Sequence, residues 1–240
     1  MHEQRTYRHY IQKDHLVSFQ VSVKETDLWI CADRLLADEA KEAVLTVRGY
    51  LESYMERYPI FLKTLAPWRV PGPAPRIVAE MAVAGAVAGV GPMAAVAGAV
   101  AEAVGRELLK NSNEVIVENG GDIFIKLDTP FTCGIAAGKS PLSMRFGLRL
   151  DAGKEPFGIC TSSATVGHSL SFGKADAVCV VSPSCAVADA AATAICNQVG
   201  SEKEIQTAIN AGKTIDGVTA IVVIMGDKVG FWGDMELVPL

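Results

Sequence analysis

Apolar and polar residues alternate from Leu16 to Val23 (LVSFQVSV), and after a short polar break the run DLWICA follows, from Asp27 to Ala32. A period of two sets the apolar side chains on one side of an extended chain. These runs, with TYRHYIQ before them, therefore predict antiparallel strands. From Arg34 to Tyr58 the period changes: Leu36, Ala40, Ala43, Val47, Leu51 and Tyr54 recur at helical spacing, with most charges opposite. One long amphipathic helix is expected there. Pro59 and the proline-rich PWRVPGPAP then make a rigid, irregular connection.

Met81 to Ala101 (MAVAGAVAGVGPMAAVAGAVA) carries no charge. Length alone would allow a membrane span, but Ala and Gly insert weakly, Gly89-Val90-Gly91-Pro92 would break it, and no aromatic or basic belt flanks it. Two helices meeting at a glycine turn are expected instead, the second opening at Pro92 and ending near Leu109. The free N–H groups at its start would seat a phosphate; on the plainer reading Gly91 only makes a turn. Further on, VIVENGGDIFIKL reads as two strands broken at Asn119-Gly120-Gly121-Asp122, and FTCGIAAG, MRFGLRLD, FGICTSS and AVCVVS read as more strands. A helix over Glu202 to Ala211, a buried strand VTAIVVIM and a last strand KVGFWGDMEL complete the chain. Strands and helices arrive in groups, which predicts one α+β domain over residues 1–240 with a largely antiparallel sheet. The grouping before Leu109 and again after Val115 hints at an internal structural duplication.

The run SPSCAVADAAATAICNQVG, Ser182 to Gly200, predicts a helix whose apolar, alanine-rich surface is interrupted by one row: Asp189, Thr193 and Asn197, four residues apart. A mid-helix aspartate is a poor helix former and is costly to bury without a partner. Either the row faces water or Asp189 caps another backbone segment, or the carboxylate and hydroxyl hold a divalent cation in an oxygen shell of the kind Mg²⁺ prefers. At the glycine break, an ordinary hairpin turn is one reading. The other is close approach of a ligand, with Asn119 and Asp122 binding a ribose, a base edge or a metal. Thr161-Ser162-Ser163 opens the densest hydroxyl cluster, which ends at His168-Ser169. Those groups could bind phosphate oxygens and move a proton, or could simply form a loop.

Composition narrows the classes. The 240 residues are half apolar, which suffices for a sizeable core, and the net charge of -5 offers no basic field for nucleic acid or an anionic membrane. Six cysteines without a CxxC pair fit buried reduced thiols better than zinc or disulfides. No apolar leader is seen at the start, so a cytoplasmic protein is expected. GxSxG, P-loop and strand-borne GxGxxG motifs are absent.

NGGDI (Asn119 to Ile123), TSS (Thr161 to Ser163) and ADAAATA (Ala188 to Ala194) resemble, in the same order, the motifs of the ApbE flavin-transferase superfamily, and VGPMAAVAGAVAE takes the place of that family's glycine-led helix. The resemblance covers about Gly89 to Gly200 and looks like a short branch rather than a standard member. It implies an ApbE-like, T-fold-type domain. Enzymes of that family use Mg²⁺ to cleave the pyrophosphate of FAD and pass FMN to a threonine of a partner protein, or hydrolyse FAD to FMN and AMP. Carried over, it implies Asp189, Thr193 and a main-chain carbonyl near Gly91 as metal ligands. Gly91, Met93, Asn119, Gly120, Gly121, Asp122, Thr161, Ser162 and Ser163 would line the flavin (FAD or FMN) site, with Asp189 and His168 in catalysis and a homodimer as the assembly. In place of the family's histidine segment ending in Asp-Pro and Thr-Gly the chain runs through GHSLSFGKADAV, where His168 would stand in for the histidine, and the lysine beside the family's helix glycine is absent. A non-catalytic metabolite-binding protein of the same fold is therefore the alternative.

Overall fold

A computed structural model describes residues 8, 13–151, 153, 155–164 and 172–240. The alternating runs form a hairpin, β1 (Val17–Val23) and β2 (Thr26–Ala32), and the amphipathic stretch forms α1 (Ala37–Arg57), which buries Ala40, Ala43, Val44, Leu51 and Tyr54. Of the expected strand Thr6 to Gln12, all but Arg8 lies outside the described residues. After the short α2 (Pro59–Lys63) and the proline-rich connection come α3 (Arg76–Ala88) and α4 (Val96–Leu108). The expected glycine break is there: the two apolar helices bend by 105°, and among the described residues no single helix is long and apolar enough to cross a membrane. One detail differs. Pro92–Ala95 winds as a 3₁₀ turn, so the α-helical first turn begins at Val96 rather than at Pro92.

The rest follows in order: β3 (Val115–Asn119), β4 (Asp122–Lys126), β5 (Phe131–Gly134), β6 (Phe146–Leu150), β7 (Phe157–Ser162), β8 (Ala177–Ser182), α5 (Cys185–Asn197), α6 (Ile205–Gly212), β9 (Ala220–Met225), β10 (Lys228–Gly233) and β11 (Glu236–Pro239). The expected single strand at the end is two, because Met235 and Leu237 leave the large sheet to pack against a second, smaller core.

Every strand pairing is antiparallel. An eight-stranded sheet runs β1-β2-β3-β4-β7-β8-β9-β10, and a three-stranded sheet runs β11-β6-β5. The large sheet reads as two halves, each a strand pair, a group of helices and a second strand pair, as the duplication predicts. Alternation along its strands sends one set of side chains to the helices and the other to the small sheet. Thus Val117, Phe124, Cys160 and Val180 enter the core under the helices, while Ile116, Ile125, Ile159 and Cys179 enter the core shared with β5, β6 and β11. All six cysteines are buried free thiols. Helix α4 lies over β3 and β4, α5 lies over β7 and β8, and the two helices pack on each other. That crossing positions the candidate site.

Candidate functional site

Helices α4 and α5 approach closely because Gly98 has no side chain. A Cβ there would overlap the Cys185 carbonyl oxygen and lie 2.9 Å from the Asp189 Cβ. In this contact the Gly98 N–H donates to Asp189 Oδ2 at 2.9 Å, and the Ala97 N–H also bonds the carboxylate. Asp189 therefore caps the first turn of α4 from a neighbouring helix, satisfying donors that have no intrahelical partner. The segment at Pro92 expected to seat a phosphate is the 3₁₀ turn, whose Ala94 N–H bonds the Gly91 carbonyl; the α-helical first-turn N–H groups, Ala97 and Gly98, are engaged by Asp189 in the capping role weighed for it.

The opposite end of the crossing mirrors it. Glu102 of α4 accepts the Cys185 N–H at 2.8 Å and the Ser184 hydroxyl at 3.3 Å, both at the start of α5. Ser184 is the N-cap, its side chain accepting from Val187 N at 3.4 Å. Each helix thus caps the other. Glu102 also pairs with Arg106 at 2.7 Å.

The β3–β4 hairpin closes on Gly120 and Gly121, at φ 68° and 106°, with Asn119 paired to Asp122. Positive φ at both central residues is what a two-residue hairpin turn requires, so the ordinary reading of NGGD holds for the backbone. Its flanks do more. Asn119 Nδ2 donates to the Ala97 carbonyl at 3.0 Å, tying the turn to the first turn of α4. Asp122 is buried on the same helix-facing side, where its Oδ1 accepts the Thr161 N–H at 3.2 Å and the Cys160 thiol bonds the carboxyl.

Two carboxylates thus come within electrostatic reach of each other between α4, α5 and the hairpin. Burial pushes Asp189 up to about 7 against the pull of the Gly98 and Ala97 N–H groups. Burial, and then the charge of Asp189, raise Asp122 well above the usual carboxylate range. The sites interact, so the proton belongs to the pair rather than to either residue. Among the described residues, no ion pair involves Asp122 or Asp189. Asp189 keeps some accessible surface.

The other expected residues divide. Thr193, half-buried, lies one turn beyond Asp189 on the same face of α5, and Asn197 beyond it accepts the Phe172 N–H at 2.8 Å. Ser162 is buried, and its Oγ has no hydrogen-bond partner among the described residues. It lies one strand repeat past Cys160, whose thiol donates to the Cys185 carbonyl at 3.3 Å, so Ser162 faces the helices near α5. Thr161 points the other way: its hydroxyl meets Cys179 Sγ at 2.9 Å, and only its N–H serves Asp122. Ser163 is buried at the end of the same strand. Gly91 is packed against the Thr64 carbonyl, where a Cβ would not fit, and its own carbonyl accepts the Ala94 N–H at 3.1 Å. Met93 packs against the helix-side core within the 3₁₀ turn, which itself packs on α5. His168 lies outside the described residues.

A hard, oxygen-liganded cation fits the chemistry of these donors: the buried Asp122 and half-buried Asp189, neither ion-paired among the described residues, a hydroxyl on the next turn and an unpartnered serine. Among the described residues no three His, Cys, Asp or Glu side chains are grouped to hold a metal. The remaining ligands would be hydroxyl, carbonyl, phosphate and water oxygens. An open depression of about 470 Å³, lined by Leu109, Ser112, Asn113, Lys126, Asp128 and Pro156, lies at the far end of α4. Sequence reading missed Glu102 and Gly98, although a glutamate ending the otherwise uncharged run from Met81 was a signal.

The family model described as AbpE bacteria matches residues 8–236. The UPF0280 protein of Methanocaldococcus jannaschii is 43% identical over 226 residues, covering 91% of this chain and 92% of that protein. Among solved structures, the flavinyl transferase ApbE of Pseudomonas stutzeri in its apo form superposes with a TM-score of 0.57 at 14% identity, over 90% of this chain and 93% of that one. The ApbE protein of Thermotoga maritima superposes with a TM-score of 0.56 at 13% identity, over 90% and 96%. The α+β fold expected from the sequence is thus an ApbE-like fold, and the chain belongs to the family of the bacterial AbpE model and the UPF0280 proteins.

Proposed function

We propose that this protein binds a phosphate-bearing, flavin-type ligand (FAD or FMN) together with Mg²⁺ between α4, α5 and the Gly120–Gly121 turn, and transfers or hydrolyses its phosphoryl group. The observation that carries this reading is that the buried Asp122 and the half-buried Asp189, which the Gly98 N–H holds in place, lie within electrostatic reach of each other with no described cationic side chain paired to either. Asp189 and Thr193 would hold the cation, with Asp122 facing them. Mg²⁺, when bound, supplies charge neutralisation at the bridging and leaving phosphate oxygens. The chain's own residues do the rest. Asp189, anchored by Gly98, presents its remaining oxygen lone pairs from a fixed direction. Asn119 holds the glycine turn against α4, where the absence of side chains lets a ligand approach the backbone. The unpartnered Ser162 hydroxyl is available to a phosphate oxygen.

A second reading, binding without turnover, is favoured by the capping role of Asp189, which gives that residue a structural reason to be present. One experiment separates the two. Incubation with FAD and Mg²⁺, followed by chromatography, is expected to release AMP from the wild type and none from Asp189→Ala. Binding of FAD with no AMP released leaves the binding-only reading. Absence of any Mg²⁺-dependent binding by calorimetry removes both. A homodimer in the cytoplasm belongs to the same proposal, and light scattering at a single-chain mass would remove the dimer.

A further inference from the structure

Strand β3 holds a charge that the site described above does not use. Glu118 is fully buried beside the glycine turn, and alternation turns its side chain to the face opposite Asn119 and Asp122. Its Oε1 accepts the Gly121 N–H at 2.8 Å. Its Oε2 accepts from Arg8 Nε at 2.7 Å. Arg8, buried as well, continues to the Asp27 carboxylate at 3.1 Å and the Asp27 carbonyl at 2.9 Å, on the strand whose Trp29 pairs with Glu118.

A two-residue hairpin turn of glycines forms without any side chain beneath it. The Glu118 bond is therefore surplus to making the turn. What it does is select one geometry for two residues that have the widest backbone freedom. A buried carboxylate is expensive unless paired and hydrogen-bonded, and Arg8 supplies the pairing with a rigid fork of donors. The residues that flank the clamped glycines are the ones that reach the helices: Asn119 bonds Ala97, and Asp122 lies by Asp189.

We infer that Glu118, charge-balanced by Arg8, is a positioning residue. It clamps the Gly120–Gly121 turn from below so that Asn119 and Asp122 keep their places against α4 and Asp189, and it touches no ligand itself. The inference rests on the proposed site but is read independently of it. Glu118→Gln keeps an acceptor for the Gly121 N–H; Glu118→Leu combined with Arg8→Met removes the acceptor without leaving an unpaired buried arginine. By amide exchange in NMR, the Gly121 N–H is expected to be protected in the wild type and in Glu118→Gln, and to exchange about tenfold faster or more in the double variant. The Asn119 side-chain amide signals shift with it. In calorimetry with FAD and Mg²⁺, Glu118→Gln stays within about threefold of the wild type, and the double variant weakens by about tenfold.

Ile116→Ala, in the small-sheet core, serves as a control that lowers stability without changing affinity or Gly121 exchange. Wild-type protection of Gly121 in the double variant, or wild-type affinity alongside rapid exchange, overturns the inference. A wild type that binds no FAD with Mg²⁺ removes the proposed function, and the Gly121 and Asn119 signals alone then decide the positioning role.

Discussion

Asp189 and Glu102 perform the same backbone task at opposite ends of one helix crossing, and they differ in what stands beside them. Glu102 caps α5 and is paired with Arg106 at 2.7 Å; Asp189 caps α4, has no such cation, and lies by a second carboxylate, Asp122. Capping accounts for Glu102 completely. For Asp189 it accounts for the bonds from the Gly98 and Ala97 N–H groups and leaves a partly buried charge that no described side chain compensates. A protein that needed only a cap there had the Glu102 arrangement available. On the proposed reading, the difference makes the Asp189 end the place for an external cation and the Glu102 end the fixed joint.

The largest effect expected on this pair comes from separating the helices. Gly98→Ala sets a Cβ against the Cys185 carbonyl and the Asp189 Cβ, disturbing both caps, and is expected to destabilise by about 3 kcal/mol in urea unfolding. An alanine tolerated there would mean that the caps do not depend on close approach. Next, Glu102→Ala strips the Cys185 N–H and Arg106 of their partner and is expected to lose about 2 kcal/mol, with ligand affinity nearly unchanged in the folded fraction.

The third prediction concerns pH and only the Asp189 end. Its folded pKa, about 7, lies above the ordinary 3.8, so between those values the native state holds more protons than the unfolded chain. Stability of the metal-free protein therefore falls as pH rises from about 4 to about 7. Thermal melts should show that slope in the wild type, a shallower one in Asp189→Asn, and the original one in Glu102→Gln. The smallest stability change is expected from Asp189→Asn itself at neutral pH, within about 1 kcal/mol, because the amide oxygen still accepts the Gly98 N–H and the uncompensated charge is gone. The same variant should lose Mg²⁺-dependent ligand binding, which sets stability and function moving apart at this residue.

Much of the architecture was legible because periodicity reports burial directly. The alternation in LVSFQVSV, the helical spacing from Leu36 to Tyr54 and the glycine break at Gly89 to Gly91 each mark one local choice that the fold keeps. Asp189 was legible for the opposite reason, as a residue that breaks a local rule. What sequence could not show is which donor a buried acceptor finds. The cap from Asp189 to Gly98 joins residues 91 positions apart, and the clamp from Arg8 to Glu118 joins residues 110 apart. Thr161 and Gly91 show the same limit from the other side. The hydroxyl of Thr161 meets Cys179 because strand parity points it to the small sheet. Packing against Thr64 is what requires glycine at Gly91.

If the proposed site is right, the Asp189–Asp122 pair gives up a proton when it takes a cation shared with a bound phosphate. Calorimetric titration of FAD with Mg²⁺ into the wild type at pH 6, repeated in two buffers of different ionisation enthalpy, counts protons released per ligand bound. A net release is expected that disappears in Asp189→Asn and whenever Mg²⁺ is chelated. Tight binding with no proton released, or binding that is indifferent to Mg²⁺, would contradict it.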